Sequence, residues 1–196
     1  LQPNAQPGDV RFKDMNGDGV IDEDDKTYSG TGIAKVEANL NLSASYKGFD
    51  FSAVIGSAFG NKIYNGIRYY YEGMNSASNF LSSTLDAWTP THTNTSVPRA
   101  IYGDPNDNTR ESTRFLENGD FVRLRQVQLG YTLPTSLVKK IYCDRIRFYV
   151  SAENVFTITG YSGANPEFSM GVLNSGIDRF TYPFSRSYTV GAQVSF

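Results

Sequence analysis

The sequence predicts an all-β fold built on antiparallel strands, and three observations carry that prediction. Five stretches alternate apolar and polar residues with a period of two, Gly, Tyr and Phe are abundant at 18, 13 and 13 copies, and the connections between stretches alternate short and long. Period two puts every apolar side chain of a strand on one face. Aromatic residues suit such a pleated surface, and glycines suit its turns.

In the first stretch, VEANLNLSASYK (36–47), Val36, Ala38, Leu40, Leu42, Ala44 and Tyr46 share one parity, and Glu37, Asn39, Asn41, Ser43, Ser45 and Lys47 share the other. After a Lys47-Gly48 turn, FDFSAVIGSAF (49–59) resumes with Phe49, Phe51, Ala53, Ile55 and Phe59 on one face, so the pair reads as a tight hairpin. A weakly patterned stretch from near Asn61 to Asp120 follows, and a connection of that length is either functional or disordered. FVRLRQVQLGYTLP (121–134) places Val127, Leu129, Tyr131 and Leu133 on one face, with Val122 and Leu124 in the opposite parity, and a bulge near Arg125 reconciles the halves. RIRFYVSAENVF (145–156) sets Ile146, Phe148, Val150 and Ala152 against Arg145, Arg147, Tyr149, Ser151 and Glu153. SYTVGAQVSF (187–196) closes the series with Tyr188, Val190, Ala192, Val194 and Phe196 on the apolar side.

The links at Lys47-Gly48 and Pro134–Asp144 are short, whereas Asn61–Asp120 and Thr157–Arg186 are long. Short turns at one rim and long loops at the other, on strands of about ten residues, are the pattern of an outer-membrane barrel that is apolar outside and polar inside. A soluble sandwich also alternates. Charged residues and Asn in mid-strand and aromatics at strand ends favour the membrane reading. Arg123, Arg125, Arg147 and Glu153 are expected on the polar face, pairing with one another. Five strands cannot close a barrel, which takes about eight at minimum, so further strands are expected from elsewhere. If the last strand ends on the short-turn side, residues 1–35 lie on the long-loop side.

Composition excludes several function classes. Eighteen Lys+Arg against 20 Asp+Glu give a net charge of −2, so no global field recruits nucleic acid. One Cys (Cys143) and one His (His92) leave no disulfide framework, cysteine-rich zinc site or His pair. His92 has no acid or nucleophile at a telling spacing, GTGIAK (30–35) lacks the context of a phosphate loop, and an enzyme is not expected. No apolar run approaches the roughly 18 residues of a membrane helix, and no signal-peptide pattern opens the sequence.

The sharpest chemical motif is DMNGDGVIDEDD (14–25). Asp14, Asn16, Asp18, Gly19, Asp22 and Asp25 fall at positions 1, 3, 5, 6, 9 and 12 of an EF-hand-type loop, with the Val20 carbonyl at position 7. Calcium takes six to eight oxygens, and Gly at position 6 permits the turn that lets alternate residues converge. Position 12 is Asp rather than Glu, GDVRFK before the loop alternates like a strand, and no helices flank it. A structural Ca2+ is therefore expected, with an ion-free acidic turn as the alternative. Tyr69, Tyr70, Tyr71 and Trp88 are candidates for stacking on a sugar or peptide, or on a lid protein, with packing inside the long loop as the competing role.

Several segments together resemble the C-terminal part of the SusC/RagA family, the TonB-linked outer-membrane transporters of Bacteroidetes. They are GDVRFKDMNGDGVIDEDDKTYSG (8–30), AWTPTHTNTSVPRA (87–100), ENGDFVRLRQVQLGYTLP (117–134), RIRFYVSAENVFTITGYSGANPE (145–167) and YPFSRSYTVGAQVSF (182–196), ending on Phe196 as a terminal aromatic. The resemblance implies residues 1–196 as the last part of a barrel of about 22 strands, without the plug domain that precedes such barrels. It also implies outer-membrane lipid around the strands, energy from the TonB complex through an N-terminal part not in this sequence, and a SusD-like surface lipoprotein that captures glycan or peptide ligands. The calcium loop then becomes a clip on the cell-surface side. The alternative from another class is a soluble, calcium-stabilised β-sandwich that binds carbohydrate.

Overall fold

The computed structural model describes residues 1–168, 171 and 174–196. Its elements are β1 (Val36–Tyr46), β2 (Phe49–Phe59), β3 (Lys62–Asn65), α1 (Gly66–Tyr71), β4 (Leu116–Asn118), β5 (Phe121–Thr132), α2 (Thr135–Val138), β6 (Arg145–Thr159), β7 (Ile177–Asp178) and β8 (Ser187–Ser195). The five long strands form one antiparallel sheet in the order β1-β2-β5-β6-β8, so each pairs with its neighbour along the chain among those five. They are the five alternating stretches of the sequence.

The turn chemistry explains the register. Lys47 and Gly48 both take positive φ, 46° and 87°, which is the two-residue turn whose twist matches a right-handed hairpin. Tyr46 accordingly faces Phe49, and the pairing runs without slip to Val36 opposite Phe59. Arg125 is the bulged residue expected from the parity change. Against β2 the register steps from Val54–Gln126 to Ile55–Leu124, and against β6 from Gln126–Glu153 to Leu124–Phe156. The partner strand bends there too, with Asn154 at φ 51°.

The sheet is apolar on its exposed side. Leu40, Leu42, Phe51, Leu129, Val150 and Val190 share one face, and all are exposed, Val190 to 83 %. Tyr46, Phe49, Tyr131 and Phe148 line up in register across four strands at the short-turn rim, with Phe49 and Tyr131 rings 4.5 Å apart. At the other rim Phe59, Phe156 and Tyr188 stand on the same face. Ten residue steps along β1 at about 3.3 Å each, tilted by about 40°, give a band about 25 Å high, the height of a membrane barrel's apolar belt. A sandwich would have laid a second sheet over this face. None covers it among the described residues.

The opposite face is polar, covered in part over β2, β5 and β6 and open on the outer strands β1 and β8. Arg123, at 4 % exposure, and Arg147 are buried there. Over Arg123 and Arg125 lie Asn165, Glu167 and Phe184 of the loop that follows β6. The long connection is folded rather than structureless: β3 pairs with β4 and, in parallel, with β7 from the second long loop. Phe115 and Ile63, at 0 % and 1 % exposure, form its interior. The short link holds a separate small cluster of Val138, Cys143 and Ile146 with Leu133.

Two expectations are corrected. GDVRFK is not a strand: the Val10 and Phe12 N–H groups donate to the side-chain amides of Asn108 and Gln2 at 2.8 and 2.9 Å, so side chains supply what a neighbouring strand would have offered. The arginines of the polar face do not pair with Glu153. Arg147 pairs with Asp50 across the sheet, and Arg123 and Arg125 both pair with Glu167 of the second long loop, at 3.0 and 2.7 Å.

Candidate functional site

Polar chemistry concentrates where the two long loops meet above the polar face. Asn65 caps α1 by accepting the Arg68 N–H at 3.1 Å. That cap fixes the helix so that Arg68 reaches Glu72 one turn on and Glu117 of β4, both at 3.0 Å. Arg114 donates to the same Glu72 at 3.1 Å, as does the Ser83 hydroxyl at 2.8 Å. Burial opposes the charge of Glu117, but the Ser162 N–H and hydroxyl, Arg68 and Asn65 outweigh it and hold its carboxyl below the usual carboxylate range. From the second loop, Tyr161 donates to Asp178, which is fully buried. Burial first, and then Asp178 beside it, push the Tyr161 hydroxyl well above its ordinary value. The Arg68–Glu72 spacing of i,i+4 was a readable signal for this network. Its long-range members, Glu117, Ser162 and Asp178, carry none.

The acidic loop is ordered by its own side chains. Asp14 accepts the Gly17 and Gly19 N–H groups, Asn16 accepts that of Asp18, Asp18 that of Val20, and Asp22 that of Asp24. Asp25 reaches back to the Met15 N–H at 2.6 Å and to that of Asp22 at 3.0 Å, and these bonds hold its carboxyl below the usual range. Gly17 and Gly19 take φ of 79° and 87°, so the turn required at position 6 is present. The donor set is all oxygen, which suits a hard cation such as Ca2+. Among the described residues, however, no three His, Cys, Asp or Glu side chains are gathered as a metal cluster. Arg110 ties the loop to the long connection, donating to the Ile21 carbonyl at 2.9 Å while its guanidinium lies 5.5 Å from the Phe12 ring.

Between this acidic loop and the long connection lies a cleft of about 1490 Å³, lined among others by Asp22, Asp25, Tyr64, Tyr69, Trp88 and Arg114. The aromatic candidates therefore divide. Tyr69 stacks edge-on against Phe115 at 5.4 Å and shares the cleft with Trp88, whose indole lies against Gly8 so closely that a Cβ there would collide with it. Tyr70 and Tyr71 turn away to Phe180, at 5.6 and 5.7 Å. Three polar atoms of the cleft's wall residues are buried without a hydrogen-bond partner: the Tyr64 hydroxyl, Ser112 Oγ and Arg114 Nε. An orphaned buried group costs on the order of 1–3 kcal/mol.

His92 does have an acid, six residues before it rather than in its own segment: Nε2 lies 2.7 Å from Asp86. The nearby Thr95 hydroxyl bonds to the other Asp86 oxygen and not to the imidazole. A nucleophilic triad needs the hydroxyl on the histidine, and this arrangement pins a surface turn instead.

No family model matches the chain. TonB-dependent receptor P3 of Formosa agariphila is 32 % identical over 203 residues, covering the whole chain and 20 % of that receptor. TonB-dependent receptor SusC of Bacteroides thetaiotaomicron is 28 % identical over 194 residues, covering 98 % of the chain and 18 % of that receptor. Among solved structures, the RagAB peptide transporter superposes with a TM-score of 0.74 at 28 % identity, over 90 % of this chain and 19 % of that one. The RagAB peptide importer in its 'closed-closed' state gives a TM-score of 0.71, over 91 % and 20 %. The chain thus spans about a fifth of the length of the relatives it matches.

Proposed function

We propose, because the chain belongs to the SusC/RagA family of TonB-dependent receptors, that its five strands are C-terminal wall strands of an outer-membrane barrel that imports glycans or peptides. The observation that supports this most is the inverted sheet: an exposed apolar face about 25 Å high between aromatic rims, with Arg123 and Arg147 buried on the opposite, polar face. Lipid is the solvent that makes such a face stable, since it suits apolar side chains, while a ladder closed by further strands would satisfy the backbone. No helix among the described residues is long and apolar enough to cross a membrane.

In this reading ligand passes through a lumen gated by a plug and driven by the TonB complex, with a SusD-like lipoprotein delivering it from outside. This chain supplies wall and external loops. The relatives named for peptide import favour a peptide cargo, and the exposed Tyr70 and Tyr71 suit contact with ligand or lid. Asp14, Asn16, Asp18, the Val20 carbonyl, Asp22 and Asp25 would hold one Ca2+, whose part is to clip the external loop rigid.

Two substitutions in the full-length receptor test the membrane reading. Val127→Arg places a cation in mid-band on the apolar face and should abolish the heat-modifiable barrel in outer-membrane fractions; Gln128→Arg, one residue on and facing inward, should leave it. Equal tolerance of both would refute the assignment. For the ion, calorimetry should show Ca2+ binding to the receptor and its loss in Asp18→Ala; no heat in either would remove the calcium clip.

A further inference from the structure

We infer that the connection from β5 to β6, residues 134–144, is an anchor that lies on the anionic phospholipid headgroups of the leaflet at the short-turn rim. The inference rests on the membrane reading above and deepens it, because a link between two wall strands is equally free to hang beneath the lumen. The side to which the link folds decides between the two. Ile146 shares the face of Phe148, two residues along β6, and Leu133 follows Tyr131 in the same parity, its N–H donating to the Ile146 carbonyl at 2.9 Å. Val138 and Cys143, both buried, pack on Ile146 with Leu133 beside them. The link therefore folds onto the apolar, outward face. Two strand residues at about 3.3 Å each set it about 7 Å beyond the aromatic rim of Tyr131 and Phe148, and the headgroup zone outside the hydrocarbon is about as thick.

What the link leaves exposed suits that zone. It closes on a helix-ending motif in which the Tyr142 N–H donates to the Lys139 carbonyl at 3.3 Å and the Cys143 N–H to the Val138 carbonyl at 3.1 Å, with Tyr142 at φ 58°. Glycine is the usual residue there, since a side chain is strained in that conformation. The tyrosine is instead 93 % exposed, so almost nothing in the chain packs on its ring to offset the strain. Leu137 and Ile141 are exposed beside it. Tyrosine and aliphatic side chains flanked by lysines are the composition of an interfacial segment.

The charges at this rim select the lipid. Asp50 is taken by Arg147. Lys47, Lys139, Lys140 and Arg145 stand against Asp144 alone, and none of these five enters an ion pair among the described residues. Lys47 also leans to the outward side, its Nζ 5.1 Å from the centre of the Tyr46 ring on the apolar face. Unpaired cations above an aromatic rim meet the phosphates of an anionic leaflet.

The test uses the full-length receptor in nanodiscs, with Cys143 replaced by Ala and a fluorophore on a single cysteine at position 136, 150 or 151. Ser136 is exposed on the link and is not one of the anchoring residues. In phosphatidylglycerol-containing discs its label should be quenched by nitroxides on the headgroups, the label at 150 by nitroxides deep in the acyl chains, and the label at 151 by neither. Replacing Lys139 and Lys140 by Gln should lower the docked-to-free ratio read at 136 by about fivefold for each lysine. Discs of phosphatidylcholine alone should lower it too. Tyr142→Gly should weaken the same quenching while thermal stability in detergent holds or rises, because glycine relieves the strain at φ 58°. An unquenched label at 136 beside a quenched one at 150 overturns the anchor and leaves the membrane reading standing, whereas no quenching at 150 removes both. Quenching at 136 that ignores the lysines and the lipid charge, or a loss of detergent stability in Tyr142→Gly, also overturns the anchor.

Discussion

The two sides of the five-stranded sheet obey opposite rules. On one, large apolar side chains stand in the open on all five strands; on the other, Arg123 and Arg147 are buried and paired, Arg123 with Glu167 of the second long loop and Arg147 with Asp50. In water the first arrangement would be costly and the second unnecessary. In the proposed reading they form a wall with lipid on one side and a hydrated interior on the other, so the solvent, rather than the strand sequence alone, decides which face counts as the core.

The largest effect expected from breaking this contrast is Val127→Arg, about 2–4 kcal/mol against barrel stability at mid-band, read as lost heat-modifiability, with Gln128→Arg near neutral. On the polar side, Glu72→Gln removes the charge that holds both Arg68 and Arg114. It should cost about 3 kcal/mol, seen in hydrogen exchange as lost protection of α1 and β4 while β5 and β6 keep theirs. Acid should act on the same side alone. The carboxyl of Glu117 lies below its ordinary value of 4.5 in the folded form, so the stability it contributes is full above 4.5 and is lost as pH falls from there through the lowered folded value. Protection around Ser162 and Asn65 should decline over that window, and the strand ladders should not. Smallest, Gly48→Ala strains a φ of 87° in the hairpin and should cost about 1 kcal/mol with both faces intact.

What the sequence disclosed follows the same division. A strand's face is written in alternation, so all five long strands, the Lys47-Gly48 turn and the Arg125 bulge could be read before any coordinates. The loop body could not. Glu117 meets Arg68 across 49 residues and Tyr161 meets Asp178 through a buried hydroxyl, and neither contact leaves a periodic trace. The segment GDVRFK shows how alternation can mislead: its N–H groups are met by Gln2 and Asn108, so a strand pattern exists without a partner strand. At the candidate site, the acidic loop was legible because its ligand spacing is local. The cleft was not, since Tyr64, Ser112 and Arg114 come together only when β3 and β4 pair.

The central claim, that the apolar face meets lipid and the polar face meets water, is tested most directly by nitroxide labels on β6. In the full-length receptor reconstituted in bilayers, with Cys143 replaced by Ala, single cysteines at positions 148 to 153 would be labelled and their collisions with oxygen and with a water-soluble nickel chelate measured. Phe148, Val150 and Ala152 positions should favour oxygen, and Tyr149, Ser151 and Glu153 positions should favour the chelate. Uniform access to the chelate along the strand would contradict the account.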